Sequence, residues 1–255
     1  MAIDTSKPSI GRIYDFMLGG HHNFEVDRRA ARGMLKVFPA YPRWARINRW
    51  FLQYVAGQWT EQGRTRVLDV ASGLPTQGHF NETLPAARIL FTDNDPLSVA
   101  YGDDLLKDQP NMAYREGDVR EPGRLLARAA EYFAADRRLA IGAIGILYFL
   151  EDEEVAALLR ALHGFAAPGS VLAVSFLARI EGVSGERFDM MNATMRRLAG
   201  IGVVPRSPER LAELAAPWKL VRQDSLPRLL EVPDMFEAEE FNADGAYLGG
   251  GFFEH

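Results

Sequence analysis

Three aspartates recur along this chain at almost one interval: Asp69, Asp93 and Asp118 are separated by 24 and 25 residues. Each ends or follows a short extended, largely apolar stretch, RVLDV, ILFTD and YREGD, so each reads as a carboxylate delivered near the end of a β-strand. Strands joined by helices at this interval run parallel, and their carboxyl ends gather along one sheet edge, where open α/β folds bind ligands. The first acid belongs to RVLDVASGLP, which breaks into a small-residue turn at Ser72 and Gly73. A pyrophosphate at such a turn calls for GxGxxG, free backbone N–H groups and no adjacent negative charge, and Asp69 would repel it. A nucleoside carrying a sulfonium and an ammonium group suits an acid there. Asp93 is then placed to take both ribose hydroxyls, and Asp118 or its neighbours to accept from an adenine amino group. That chemistry describes S-adenosylmethionine.

The elements that must position these acids follow from hydrophobic periodicity. From Arg66 onward, segments 66–71, 88–92, 112–116, 139–146 and 170–177 read as strands alternating with helices, which predicts a parallel sheet covered on both faces. Helices are expected at 122–133, 151–166, 186–198 and 208–215. WKLVRQ (218–223) and AYLGGGFF (246–253) read as two late strands of a closing antiparallel hairpin. Before the sheet, Ser9 can cap a helix that Gly19 and Gly20 stop, a second begins near Asn23 and ends before Pro39, and a third follows Pro42 and ends near Gly63. Residues 1–63 are therefore expected to form a helical cap or lid and residues 64–255 the ligand-binding core, in one compact whole.

Composition bounds the chemistry. The 255 residues suffice to bury a sizeable core, and no apolar run approaches the roughly 20 residues a membrane-spanning helix needs. The opening residues lack the pattern of a signal peptide, and with no cysteine a cytoplasmic location is the expectation. The absence of cysteine excludes thiolate nucleophiles, zinc–thiolate sites, disulfides and cysteine-dependent cytosine methylation. The five histidines show no zinc-like spacing, so no metal is expected. Residues 1–60 carry nine Lys/Arg against four Asp/Glu within a chain of net charge −5, which leaves −10 for the remainder. That basic cap reads first as solvated helix faces, and the acidic stretch 231–255, with seven acids and no Lys or Arg, reads likewise.

The opening PSIGRIYDFMLGGHHNFEVDR (8–28), together with VLDVASGLPT (67–76), FTDNDP (91–96), GDVREP (117–122) and LYFLEDEE (147–154), resembles a bacterial family of S-adenosylmethionine-dependent methyltransferases. The first segment is similar to that family's amino-terminal signature, a YDxxLGG helix end followed by NF and an acid. The resemblance implies a Rossmann-like class I methyltransferase sheet, mostly parallel, with seven strands and an amino-terminal helical cap. It further implies that Asp69, Ala71 and Gly73 line the methionine end of the cofactor, Asp93 and Asn94 the ribose, and Asp118 and Val119 the adenine. Tyr14, Gly19, Gly20 and Asn23 would close over it as a lid. Three departures stand out: Ala71 replaces a usual glycine, His21 and His22 replace a common lysine and acid, and the segment between Thr76 and Ala87 is about one helical turn shorter.

Methyl transfer from a sulfonium is an in-line displacement that alignment and exclusion of water can promote, so a dedicated base is optional. Tyr148, after the fourth strand, and His22, in the lid, are the candidates where an acceptor must lose a proton. No DPPY or NPPY follows the fourth strand, which disfavours a nucleic-acid amino group and favours a small-molecule acceptor. The alternative is a non-catalytic module that binds S-adenosylmethionine or S-adenosylhomocysteine for regulation, suggested by Ala71, the clipped helix and the absence of a recognisable base. Nicotinamide-dependent oxidoreduction fits poorly, because GxGxxG is missing.

Overall fold

The computed structural model describes residues 5–76, 78–232 and 245–255. Three helices, α1 (Ile10–Met17), α2 (Glu25–Leu35) and α3 (Tyr41–Glu61), precede the sheet. The chain continues through β1 (Arg66–Val70), α4 (Phe80–Thr83), β2 (Arg88–Asp93), α5 (Pro96–Leu106), β3 (Met112–Glu116), α6 (Pro122–Phe133) and β4 (Ala140–Ala143). A 3-10 turn (Leu147–Phe149) leads to α7 (Asp152–Phe165), β5 (Val171–Arg179), α8 (Glu186–Ala199), α9 (Pro208–Ala215), β6 (Lys219–Ser225), α10 (Leu226–Leu229) and β7 (Ala246–Glu254).

The seven strands form one sheet in the order β3-β2-β1-β4-β5-β7-β6. β1 to β5 run parallel, whereas β7 lies antiparallel between β5 and β6. Strand order reverses at β1, whose Leu68 sits between Leu90 of β2 and Ile141 of β4. This reversal is the switch point beside which doubly wound sheets open a ligand crevice.

Side-chain alternation along the strands sorts the core into two layers. Val67, Ile89, Phe91 and Tyr114 face one layer, which also contains Phe51, Val55 and Trp59 of α3, Met34 of α2 and Met191 of α8. Leu68, Val70, Leu90 and Ile141 face the other, with Leu125 of α6, Leu158 of α7 and Leu211 of α9. The helical cap thus covers one face of the sheet directly, and Trp59 stacks on Phe80 at 5.2 Å between ring centroids. Burying such aromatic area contributes about 25 cal/mol for each Å² removed from water, which ties the cap to the core.

Element boundaries differ from expectation in two informative places. The fourth strand ends at Ala143 rather than continuing to 146, because Gly145 adopts φ 86° and turns the chain out of the sheet. The four-residue α10 has no counterpart in the sequence reading. α4 has only four residues, matching the shortened segment before Pro85. Residues 233–244, which carry five of the seven acids of the carboxyl-terminal stretch, lie outside the described residues.

Candidate active site

A cavity opens at the carboxyl edge of the sheet, running from β2 across β1 and β4 to β5 and β7. Its floor is the turn after β1. Ala71 holds φ 53° and Gly73 φ 63°, so two positions of this turn lie in the left-handed region. Alanine in that region costs about 1–2 kcal/mol where glycine would not, which explains why Ala71 is the turn's unusual residue. Ser72 Oγ closes the turn by donating to Asp69 O (3.0 Å), and two bonds tie it to β2: Ser72 N–H donates to Thr92 O (2.8 Å) and Thr92 Oγ1 to Asp69 O (3.1 Å).

Asp93 joins the two loops. One carboxylate oxygen accepts from Gly73 N–H (2.8 Å) and the other from Asp95 N–H (2.9 Å). Burial pushes its carboxyl up to about 6 despite these donors. Each oxygen keeps lone-pair capacity for a ligand hydroxyl, since a carboxylate offers about four acceptor sites. Asn94 shares the cavity wall.

Asp69 stands one layer deeper. It is buried behind Ala71, Ser72 and His79, which do reach the cavity. Its Oδ2 has no hydrogen-bond partner and lies 3.6 Å from His79 Nε2, and burial pushes its carboxyl up to about 7. His79 Nδ1 accepts from Phe80 N–H (2.9 Å) while Nε2 faces Ser72 O (3.2 Å), so the ring carries its proton on Nε2. Burial lowers its pKa well below the usual histidine value, which keeps it neutral.

Across from these acids is a cation that sequence reasoning did not single out. Arg49 of α3 lines the cavity at 8% exposure, and its Nε and Nη1 are buried without a hydrogen-bond partner. Its guanidinium sits over the Tyr14 ring, 5.9 Å from the centroid, and its charge bears on both Asp69 and His79. Leaving a buried charged donor unsatisfied is unfavourable, so this group is prepared for an anion that enters the cavity.

The residues expected to form a lid divide into two groups. Tyr14 and Asp15 of α1 line the cavity, Tyr14 donating its hydroxyl proton to Ala45 O (2.8 Å). Gly19, Gly20, His22 and Asn23 do not line it; they build the turn around Asp15. Gly20 N–H donates to Asp15 O (2.9 Å), while His22 N–H (2.8 Å) and Asn23 Nδ2 (2.9 Å) donate to Asp15 Oδ2. A Cβ at Gly20 would collide with the Asp15 carboxyl, and Gly19 has φ 82°. His22 contacts the Tyr101 hydroxyl on α5. The amino-terminal helices are fastened to the start of α5 by Ser9 Oγ donating to Asp95 Oδ2 (3.0 Å) and by Arg12, which pairs with Asp27 (2.8 Å) and Asp95 (3.5 Å).

Asp118 faces a second, adjoining depression with Glu116 and Arg128, which meets the main cavity at Asn94. Its Oδ2 accepts from Asn94 Nδ2 (3.1 Å) and its Oδ1 from Arg120 N–H (2.8 Å). Val119 is buried in the apolar layer behind. Tyr148 lines the cavity beyond β4, beside Gly145, and burial raises its pKa well above the usual phenol value. Among the described residues no group of three or more His, Asp or Glu is placed to hold a metal ion, and no helix is long and apolar enough to cross a membrane.

A 3-2-1-4-5-7-6 sheet with one antiparallel strand, helices on both faces and acids at the ends of β1 and β2 defines the Rossmann-like class I methyltransferase architecture. The chain belongs to the S-adenosyl methyltransferase family, whose model matches residues 1–233, and its cofactor is S-adenosylmethionine. It is similar to a proposed methyltransferase of Thermobifida fusca at 28% identity and TM-score 0.82, covering 99% of this chain and 97% of that one. A DUF574 family protein of Streptomyces avermitilis gives 23% identity and TM-score 0.82, covering 99% of both chains. The N-methyltransferase NodS of Bradyrhizobium japonicum in complex with S-adenosylhomocysteine shares the fold, at 14% identity and TM-score 0.52 over 96% and 98% of the chains. No curated protein sequence matches.

Proposed function

We propose that this protein transfers the methyl group of S-adenosylmethionine to a small-molecule acceptor in the cytoplasm, with residues 1–63 acting as lid and residues 64–255 as core. The observation that carries the reading is the charge arrangement at the β1 turn. The Arg49 guanidinium, whose Nε and Nη1 have no hydrogen-bond partner, complements the carboxylate of the cofactor's methionine end, and the Asp69 carboxyl buried directly behind the turn supplies a negative field that favours its ammonium without touching it. Ala71 and Gly73 form the floor beneath the sulfur, Asp93 and Asn94 take the ribose hydroxyls, and Asp118 bounds the adenine side, with Val119 packed in the core behind it. Tyr14 presses on the cofactor from above, while Gly19, Gly20 and Asn23 keep Asp15 and the helix end in place.

The chain's own residues then act by alignment. Arg49 and Asp93 hold the methionine carboxylate and the ribose on either side of the sulfur, so the sulfonium methyl points toward the β4 end, and the aromatic cap excludes water. Tyr148 stays protonated, which makes it a hydrogen-bond donor rather than a base. His22 is held against Tyr101 and serves the lid.

A second reading, a binding module without turnover, is favoured by the strained Ala71 and the four-residue α4 beside the methionine end. Calorimetry with S-adenosylhomocysteine, S-adenosylmethionine and NAD tests the cofactor: failure of both adenosyl ligands to bind removes both readings. Incubation with methyl-labelled cofactor and fractionated cell extract separates them, because only an enzyme moves label into a small-molecule fraction.

A further inference from the structure

The far end of the cavity, beyond β4, is walled by Phe38 and Trp44 of the cap, Met191 and Met195 of α8, and Leu248 of β7, all buried. Phe38 meets Trp44 edge-on at 5.2 Å. Such a slot suits a flat, uncharged ring, since aromatic and thioether walls reward apolar area and offer no counter-ion. The cavity's carboxylates are elsewhere. Asp93 and Asp95 close β2, and Asp15 is held beside His22 at the α5 side.

The ionisable groups on this end are Tyr41 and Tyr148, bordered by Tyr14 and Arg49; burial lifts Tyr41 and Tyr148 above the ordinary phenol range, Tyr14 gives its hydroxyl proton to Ala45 O, and a guanidinium has no acceptor, so none of them serves as a base near neutrality. One polar atom there has no partner. Asn48 is 4% exposed, and its Oδ1 makes no hydrogen bond. The amide orientation follows from chemistry: Tyr14 gives its hydroxyl proton to Ala45 O, so it can only accept from Asn48 Nδ2 (3.4 Å), which turns Oδ1 away from it. The amide lies against Gly145, with Nδ2 3.0 Å from where a Cβ would stand there, and the Tyr148 hydroxyl is 3.5 Å from that same point.

Resting on the cofactor reading above, we propose that the methyl acceptor is an uncharged aromatic amine whose N–H donates to Asn48 Oδ1. A phenol could donate equally well, but its oxygen becomes a good nucleophile only after losing a proton, and this end holds no base. An aliphatic amine enters as an ammonium without a lone pair. An aromatic amine is neutral near pH 7 and keeps its pair. That pair forms the new N–CH₃ bond as the S–CH₃ electrons return to sulfur, giving the thioether. The nitrogen becomes cationic, its N–H bond to Asn48 strengthens in the transition state, and the proton passes to water on release.

The test compares 2-aminonaphthalene, 2-naphthol and 2-naphthoic acid with methyl-labelled S-adenosylmethionine, alongside calorimetry of S-adenosylhomocysteine. The expected result is label on the amine alone. Asn48→Leu should reduce transfer at least about tenfold with S-adenosylhomocysteine affinity held within about twofold, and Asn48→Asp, which keeps an acceptor oxygen, should restore transfer. Label on the naphthol or naphthoate in place of the amine, or undiminished transfer by Asn48→Leu, overturns the proposal. Tight S-adenosylhomocysteine binding with no labelled product also overturns it while leaving the cofactor reading intact. Absence of binding removes the cofactor reading instead.

Discussion

Replacing Arg49 by methionine should move stability and affinity in opposite directions. In the free protein the guanidinium is 8% exposed with Nε and Nη1 unsatisfied, so it is a buried charge without a hydrogen-bonded partner. An apolar side chain of similar length removes that penalty, and the ligand-free Arg49→Met protein should gain about 1–3 kcal/mol toward urea. With cofactor bound, the same guanidinium makes charge-assisted hydrogen bonds to a carboxylate, worth about 1.5–3 kcal/mol, so S-adenosylhomocysteine should bind the variant about 10–150-fold more weakly. The decarboxylated analogue of S-adenosylhomocysteine separates causes: it should bind wild type and variant alike, and Arg49→Lys should fall between them. Calorimetry on the four combinations gives the coupling between guanidinium and carboxylate. Equal loss for both ligands, or S-adenosylhomocysteine binding to Arg49→Met within about twofold of wild type, would refute this assignment.

Four further outcomes follow from the same geometry. Because burial holds Asp69 at about 7 and Asp93 at about 6, the free site carries protons whose loss a ligand's ammonium and ribose hydroxyls favour, so S-adenosylhomocysteine affinity should climb between about pH 5 and about pH 8. Asp69→Asn should flatten that rise; a slope unchanged in the variant would mean another group titrates. The folded value of Asp69 lies above its unfolded value of about 3.8, so the stability it contributes is complete below about pH 4 and lost as pH rises through about 7. Asp69→Asn should therefore match wild type in acid and exceed it in thermal melts at pH 8. Arg12→Leu takes its cationic partner from the fully buried Asp27 carboxylate, leaving it the Ser9 and Phe24 N–H donors, and should cost about 3–5 kcal/mol by urea denaturation, against no loss if the pair is dispensable. Ala71→Gly, which relieves φ 53°, should raise stability by about 1 kcal/mol, and a loss would show that the turn is unstrained.

Much of the architecture was legible because local and global signals agree. The β-branched runs at 66–70 and 88–93 are strands buried on both faces, and the 24-residue spacing of Asp69 and Asp93 leaves room for one short connecting helix between neighbouring parallel strands. The carboxyl-terminal order, with β7 inserted between β5 and β6, was less visible, since adjacent sequence does not reveal which strand lies inside. Within the site, acids at strand ends could be read by position alone. Arg49 and Asn48 could not, because their role depends on which face of α3 meets the sheet edge. A signal was present nonetheless: Ala45, Asn48, Arg49, Leu52 and Ala56 recur at helical spacing, which puts two polar residues on a buried face. His79 was hidden for a related reason, its place set by the turn and by its cap on α4 rather than by spacing to another histidine.

Methyl transfer is followed most directly by tracing label from methyl-tritiated S-adenosylmethionine through purified protein and a fractionated cell extract while S-adenosylhomocysteine is quantified. The predicted result is label in the small-molecule fraction with one S-adenosylhomocysteine formed per methyl transferred. Tight binding of S-adenosylhomocysteine with no label leaving the cofactor in any fraction would rule out methyl transfer and establish the binding module.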